Sequence, residues 1–173
     1  MPEFLKVEEV LSKLHLRENM LAAEFGCGSA LFALSLARKI KRGRVYALDI
    51  QEEKLKILKG RADREKINNI IDIVCDLEVP RGSRLSDNFL DIVLIPNVLF
   101  QAENKYAIIE EAHRVLKKGG ELLIIDWLRA SKFAPVKTFV NPDEVKRIAE
   151  KLGLTLKNEF AAGDYHYGLL FVK

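Results

Sequence analysis

Short apolar runs alternate along this chain with stretches whose apolar residues recur every three or four positions, and that order constrains the fold more than any other feature. Runs at 20–25, 44–50, 70–75, 90–95 and 121–127 read as strands, 44–50 as a buried one. Helical stripes separate most of them: Ala33, Leu36, Ala37 and Ile40, then Leu55, Leu58 and Ala62, then Ile108, Ile109, Ala112, Val115 and Leu116. Val7, Val10, Leu11 and Leu14 predict a further helix ahead of the first strand, and Gly119-Gly120 is expected to stop the helix before the fifth. Asn141-Pro142-Asp143-Glu144 opens another helix, with Asn as cap and Pro at the first helical position. Runs at 154–160 and 165–172 have no helix between them, so their short connection predicts antiparallel pairing. The expected architecture is α/β, a sheet of about seven strands, mainly parallel, ending in an antiparallel C-terminal hairpin.

A chain of 173 residues suits one domain, and we expect residues 1–173 to form it, with an N-terminal helix at 1–18 covering the site and a core at 19–173. No apolar run reaches the roughly 18 residues of a membrane span. The acidic, amphipathic start contrasts with a secretory signal, which leads us to expect a cytoplasmic protein. Cys27 and Cys75 are the only cysteines and suggest neither a disulfide nor a metal framework; no metal is expected. Net charge is +3, too mild to establish a nucleic-acid partner, and oligomeric state is not legible. Irregular stretches at 79–88 and 129–140 are natural site-covering loops.

Between the first strand and the next helix lies Glu24-Phe25-Gly26-Cys27-Gly28-Ser29-Ala30-Leu31. A dinucleotide loop needs a small residue at position 31, where its helix packs closely on the strand, and the residue there is Leu31. Glu24 would also repel a pyrophosphate. Both features disfavour an NAD-dependent oxidoreductase and favour a ligand bearing a cationic amine.

These residues resemble the first motif of the class I S-adenosylmethionine-dependent methyltransferases, an acidic residue followed by Gly-x-Gly, with Ala30 standing where a third glycine is usual. Asp49 at the end of the second strand resembles the family's ribose-binding acid, and Asp76 its adenine-amine contact. Residues 90–95 and 113–122 resemble the fourth and fifth motifs. The resemblance implies a Rossmann-like, doubly wound sheet, S-adenosylmethionine as cofactor and S-adenosylhomocysteine as product. Its implied cofactor contacts are Glu24, Gly26, Cys27, Gly28, Asp49, Ile50, Asp76, Leu77 and Asn97. A sulfonium cofactor carries an ammonium, a carboxylate and ribose hydroxyls, so acidic acceptors and the backbone N–H groups of Gly26 to Gly28 make chemical sense. The segment Ile95-Pro96-Asn97-Val98 lacks the signature of enzymes acting on planar amines and the cysteine of RNA cytosine-C5 enzymes. Ile125-Asp126-Trp127, with the helix opening at Asn141, resembles the quinone-biosynthesis and related small-molecule branch. A small-molecule acceptor is therefore expected, with RNA or protein substrates, or a non-catalytic cofactor-binding module, as alternatives.

Each candidate has a plainer reading. Glu24 alone would cap the following helix, Asp76 would make a turn, and the basic stretch 54–66, interleaved with acids, would be a solvated face. Cys27 is a small filler, or a thiol whose pKa a helix N-terminus lowers. His15 has no constellation around it. The last strand starts at the ligand edge with Asp164-Tyr165-His166-Tyr167, beside Asp126-Trp127. His166 and Asp126 are therefore expected on one rim as catalytic base and carboxylate.

Overall fold

The computed structural model describes residues 5–128 and 139–173. Seven strands form one sheet in the order β3-β2-β1-β4-β5-β7-β6. They are β1 (Leu21–Phe25), β2 (Arg44–Asp49), β3 (Ile70–Val74), β4 (Leu90–Pro96), β5 (Leu116–Trp127), β6 (Thr155–Ala161) and β7 (His166–Val172). Neighbours among β1 to β5 pair in parallel, whereas β7 runs antiparallel to both β5 and β6, as the short connection requires. This is the expected doubly wound sheet with its C-terminal hairpin. Strand order reverses between β1 and β4, and the crevice beyond their carboxyl ends is where such sheets bind ligands.

Alternation along the strands supplies two cores. Ala22, Ala47, Ile92, Leu94 and Leu123 face α1 (Val7–Leu11), α2 (Leu31–Lys39) and α3 (Glu52–Arg64). Ala23, Phe25, Val93, Ile95 and Ile124 face α4 (Lys105–Val115) and α5 (Pro142–Lys151). Helix α5 starts as the sequence says, with the Asn141 side chain accepting from Asp143 N.

Four expectations need correction. Helix α1 is only five residues long; Leu14 is buried but lies in the turns that follow. Gly119-Gly120 does not stop α4. That helix ends at Val115 because Leu116 is already extended and paired with Leu90. Residues 117–120 then bulge opposite Asp91, with Gly119 at φ +79. Asp91 anchors the bulge by accepting from Lys117 Nζ and Leu21 N, both at 2.8 Å. The 79–88 stretch does not cover the carboxyl-edge crevice: Ser83 donates to buried Glu111, which also pairs with Arg114, and Arg114 reaches back to Asp87, pinning the loop on α4. The other irregular stretch, 129–140, lies outside the described residues up to 138. Finally, His15 does have a partner: its Nδ1 lies 2.6 Å from Glu121 Oε1, which raises its pKa.

Candidate functional site

A cavity of about 690 Å³ opens beyond the carboxyl ends of β1, β2, β4 and β5, within the usual range for small-molecule clefts. Every residue expected to contact the cofactor lines it: Glu24, the Gly26–Cys27–Gly28 turn, Asp49 and Ile50, Asp76 and Leu77, and Asn97. His166 lines it too; Asp126 does not. Leu5 and Val7 close one side.

The glycine turn is held mainly by the protein itself. Gly26 N and Cys27 N both donate to Leu48 O, at 2.7 and 3.1 Å, and Gly28 N donates to Asp49 Oδ2 at 3.2 Å. These amides therefore fix the loop against β2 rather than standing free for a carboxylate, which corrects the expectation. Asp49, nearly buried, also accepts from Gln51 N at 2.9 Å, so its carboxylate is locked in place at the cavity wall. Ala30 takes the left-handed conformation at φ 67 as the N-cap residue of α2, which explains why glycine is the usual residue there. Close packing of α2 on the sheet is achieved by buried Ala30 and Ala33, while Leu31, 45% exposed, faces the cavity.

Glu24 combines both readings. Its Oε2 accepts from Ala33 N at 2.8 Å, capping α2, yet the side chain lines the cavity. Burial, opposed by the Ala33 bond and reinforced by the charge of Asp49, pushes its pKa well up. An ammonium group bound between Glu24 and Asp49 would stabilise the charged form of both acids. The same surroundings reverse the expectation for Cys27, whose thiol is pushed up by burial and by Glu24 and Asp49, leaving it inert. Asp76 makes its turn, accepting from Glu78 N at 2.8 Å, and also lines the cavity. Ile50 is 64% exposed, an open apolar wall beside it.

The expected His166–Asp126 pair is not formed. In the antiparallel register Asp126 pairs with Tyr167, and Trp127 with His166, so the pleat sends Asp126 and His166 to opposite faces of the sheet. The fully buried Asp126 carboxylate accepts from Trp127 N and Phe100 N, supporting the 3₁₀ turn Leu99–Gln101, and burial raises its pKa to about 6. His166 packs on Trp127 instead, ring centroids 4.1 Å apart, and desolvation lowers its pKa to about 4. Trp127 is the site residue that motif reading missed, although period-two alternation along β5 places it on the cavity face. Among the described residues, Asn97 Oδ1, Trp127 Nε1, both His166 ring nitrogens and Tyr167 OH are buried without a hydrogen-bond partner. All but the tyrosine belong to residues lining the cavity.

This sheet order, with paired acids after β1 and β2 and an unpartnered Asn97 acceptor between them and the aromatic end, defines the class: an S-adenosylmethionine-dependent methyltransferase fold. The donor set fits the cofactor's ammonium and hydroxyls. Comparison with known proteins agrees. A family profile described as "Methyltransferase domain" matches residues 23–124, so the chain belongs to that methyltransferase family, whose cofactor is S-adenosylmethionine. It is 27% identical over 128 residues to a demethylmenaquinone methyltransferase of Geobacillus kaustophilus, covering 73% of this chain and 53% of that one. Over 118 residues it is 26% identical to a ubiquinone/menaquinone biosynthesis C-methyltransferase of Hydrogenovibrio crunogenus, covering 68% and 46%. The chain thus spans about half the length of the curated relatives it matches. A solved S-adenosylmethionine-dependent methyltransferase from Aquifex aeolicus superposes with a TM-score of 0.85 at 24% identity, covering 96% of this chain and 89% of that one. The [4+2]-cyclase SpnF superposes at 0.84 with 13% identity, covering 96% and 79%. One fold thus carries different chemistries, so the reaction has to be argued from the site.

Proposed function

We propose that the chain transfers the methyl group of S-adenosylmethionine to a small organic acceptor. The observation that carries this reading is that one and the same cavity, of about 690 Å³, has an acidic end, Glu24 and Asp49, and an aromatic end, Trp127 and His166, on the same face of the sheet. When bound, the cofactor supplies an electrophilic methyl group on a sulfonium, and in-line displacement at that carbon needs chiefly positioning. Glu24 and Asn97 Oδ1 would hold the ammonium, Asp49 the ribose hydroxyls, and Asp76 the adenine amine, with Gly26, Cys27 and Gly28 shaping the turn beneath and Ile50 and Leu77 flanking the base. Residues ahead of β1 would act as a cover for a single domain. The names of the quinone-methylating relatives support a small ring-bearing acceptor.

An RNA acceptor finds little support in the basic helix α3. Lys56 pairs with Glu52, and Arg61 donates to Ser29 O at 2.7 Å, so part of its charge is used within the protein. Incubation with methyl-labelled cofactor and separate small-molecule, RNA and protein fractions of a cell extract tests the reading. Label is expected in the small-molecule fraction; label confined to RNA or protein would contradict it.

A further inference from the structure

The Asp126 carboxylate is fully buried on the face of the sheet away from the cavity, and one wall of the cavity is tied to it from behind. Buried charges need partners, and here they are backbone amides. Oδ1 accepts from Trp127 N at 2.8 Å and Oδ2 from Phe100 N at 3.1 Å, while the amide of Leu99 adds to the stabilisation of the charge. Trp127 lies on β5, and Leu99 and Phe100 lie in the segment that follows β4, so one carboxylate joins the ends of two neighbouring strands.

That segment supplies Asn97, Val98, Gln101 and Ala102 to the cavity wall. Asn97 takes a left-handed backbone at φ 54, and its Oδ1 is buried without a hydrogen-bond partner. A non-glycine residue in that region persists only where its surroundings hold it. Two ties hold this one: Asn97 N donates to Ile125 O at 2.8 Å, and three residues further on Phe100 is fastened to Asp126. Val98, between them, packs on the Gly26 turn so closely that a Cβ on the glycine would overlap its Cγ2. Release of Phe100 would therefore loosen Asn97 and Val98 together.

We propose that Asp126 is a positioning residue for the cofactor: by holding the amides of Leu99 and Phe100 from behind the sheet, its carboxylate aims Asn97 Oδ1 at the ammonium. This rests on the methyltransferase reading and on the ammonium contact given there to Asn97. A buried acid that touches no ligand thereby sets the affinity for one, and its charge decides how well. The carboxylate accepts at both oxygens, whereas the neutral acid turns one oxygen into a donor that cannot serve an amide N–H.

Burial raises the pKa of Asp126 to about 6, against the amides of Trp127, Phe100 and Leu99 and the charge of Lys105 at the start of α4. Tyr167, its neighbour across the β5–β7 ladder, is pushed far up by burial, by Asp126 and by Glu144 of α5, and stays a neutral phenol. Since the charged form makes the ties, the contribution of Asp126 to cofactor affinity is complete well above pH 6 and is lost as the pH falls through that value.

Calorimetry with S-adenosylhomocysteine tests this in Asp126→Asn, which keeps the shape of the side chain and removes its charge. At about pH 8 the variant should bind at least about tenfold more weakly than the native protein. At about pH 5 the difference should shrink to about twofold, because the native Asp126 is then largely protonated too. Glu24 also titrates, but it is common to both proteins and cancels in the ratio. Asn97→Gly removes the side-chain acceptor at a position whose backbone suits glycine. In that background Asp126→Asn should cost no more than about twofold, since its route to the ammonium is gone. A ligand-free measurement on the native protein needs no variant: the side-chain amide resonance of Asn97 should shift with the backbone amides of Phe100 and Trp127 along one titration near pH 6. Native-like binding by Asp126→Asn, a ratio that does not change with pH, a full loss on top of Asn97→Gly, or an Asn97 resonance that ignores the titration would each overturn the proposal. If S-adenosylhomocysteine binds none of these proteins, the methyltransferase reading fails instead, and the ligand-free titration still decides whether Asp126 sets the position of Asn97.

Discussion

Gly26→Ala is expected to lower stability by about 2–4 kcal/mol and to abolish cofactor binding, the sum of a left-handed backbone penalty and an overpacking penalty. Gly26 has φ +78, and a Cβ there would overlap Val98 Cγ2. Val98 cannot retreat freely, because it follows Asn97, held at φ 54 with its N–H donating to Ile125 O at 2.8 Å. Displacement of either residue moves the cavity wall where the ammonium would sit. Denaturant unfolding measures the first effect and S-adenosylhomocysteine titration the second. Adding Val98→Ala should recover the steric part and leave the backbone part, so partial rescue separates the two causes.

Asp49→Ala should weaken cofactor binding by about 1.5–3 kcal/mol, roughly 10- to 150-fold, the scale of hydrogen bonds to a charged acceptor. Its carboxylate is fixed by Gly28 N and Gln51 N before any ligand arrives, so little ordering is left to be done on binding. The same substitution leaves those two amides without their acceptor and should loosen the glycine turn. Calorimetry on a variant shown to be folded gives the affinity; an unchanged value would mean that the ribose lies elsewhere.

The order of strands and helices was legible because each buried strand is a continuous apolar run and each helix a stripe, patterns that depend only on local periodicity. The acidic end of the site was legible for a related reason: Glu24, Asp49 and Asp76 each sit on, or immediately after, a strand end, and the topology brings strand ends together. What the sequence concealed depends on contacts between distant segments. Gly119-Gly120 reads equally as a helix stop or a bulge, and only the pairing of Leu116 with Leu90 decides. Cys27 sits by a helix N-terminus, but burial in the folded chain raises its pKa, and so do carboxylates that come from β1 and β2. His15 meets Glu121, 106 positions away. His166 and Asp126 do lie on neighbouring strands, as expected, yet a one-residue offset in register puts them on opposite faces and gives His166 the partner Trp127 instead.

The cofactor claim is tested most directly by thermal unfolding with S-adenosylhomocysteine and with NAD, both at the same concentration, about 100 times the dissociation constant that calorimetry gives for S-adenosylhomocysteine. S-adenosylhomocysteine should stabilise the protein by about 2.7 kcal/mol, raising Tm by roughly 5–10 °C, while NAD leaves it unchanged. A shift with NAD and none with S-adenosylhomocysteine would contradict the assignment of Glu24, Asp49 and the Gly26 turn to a sulfonium cofactor.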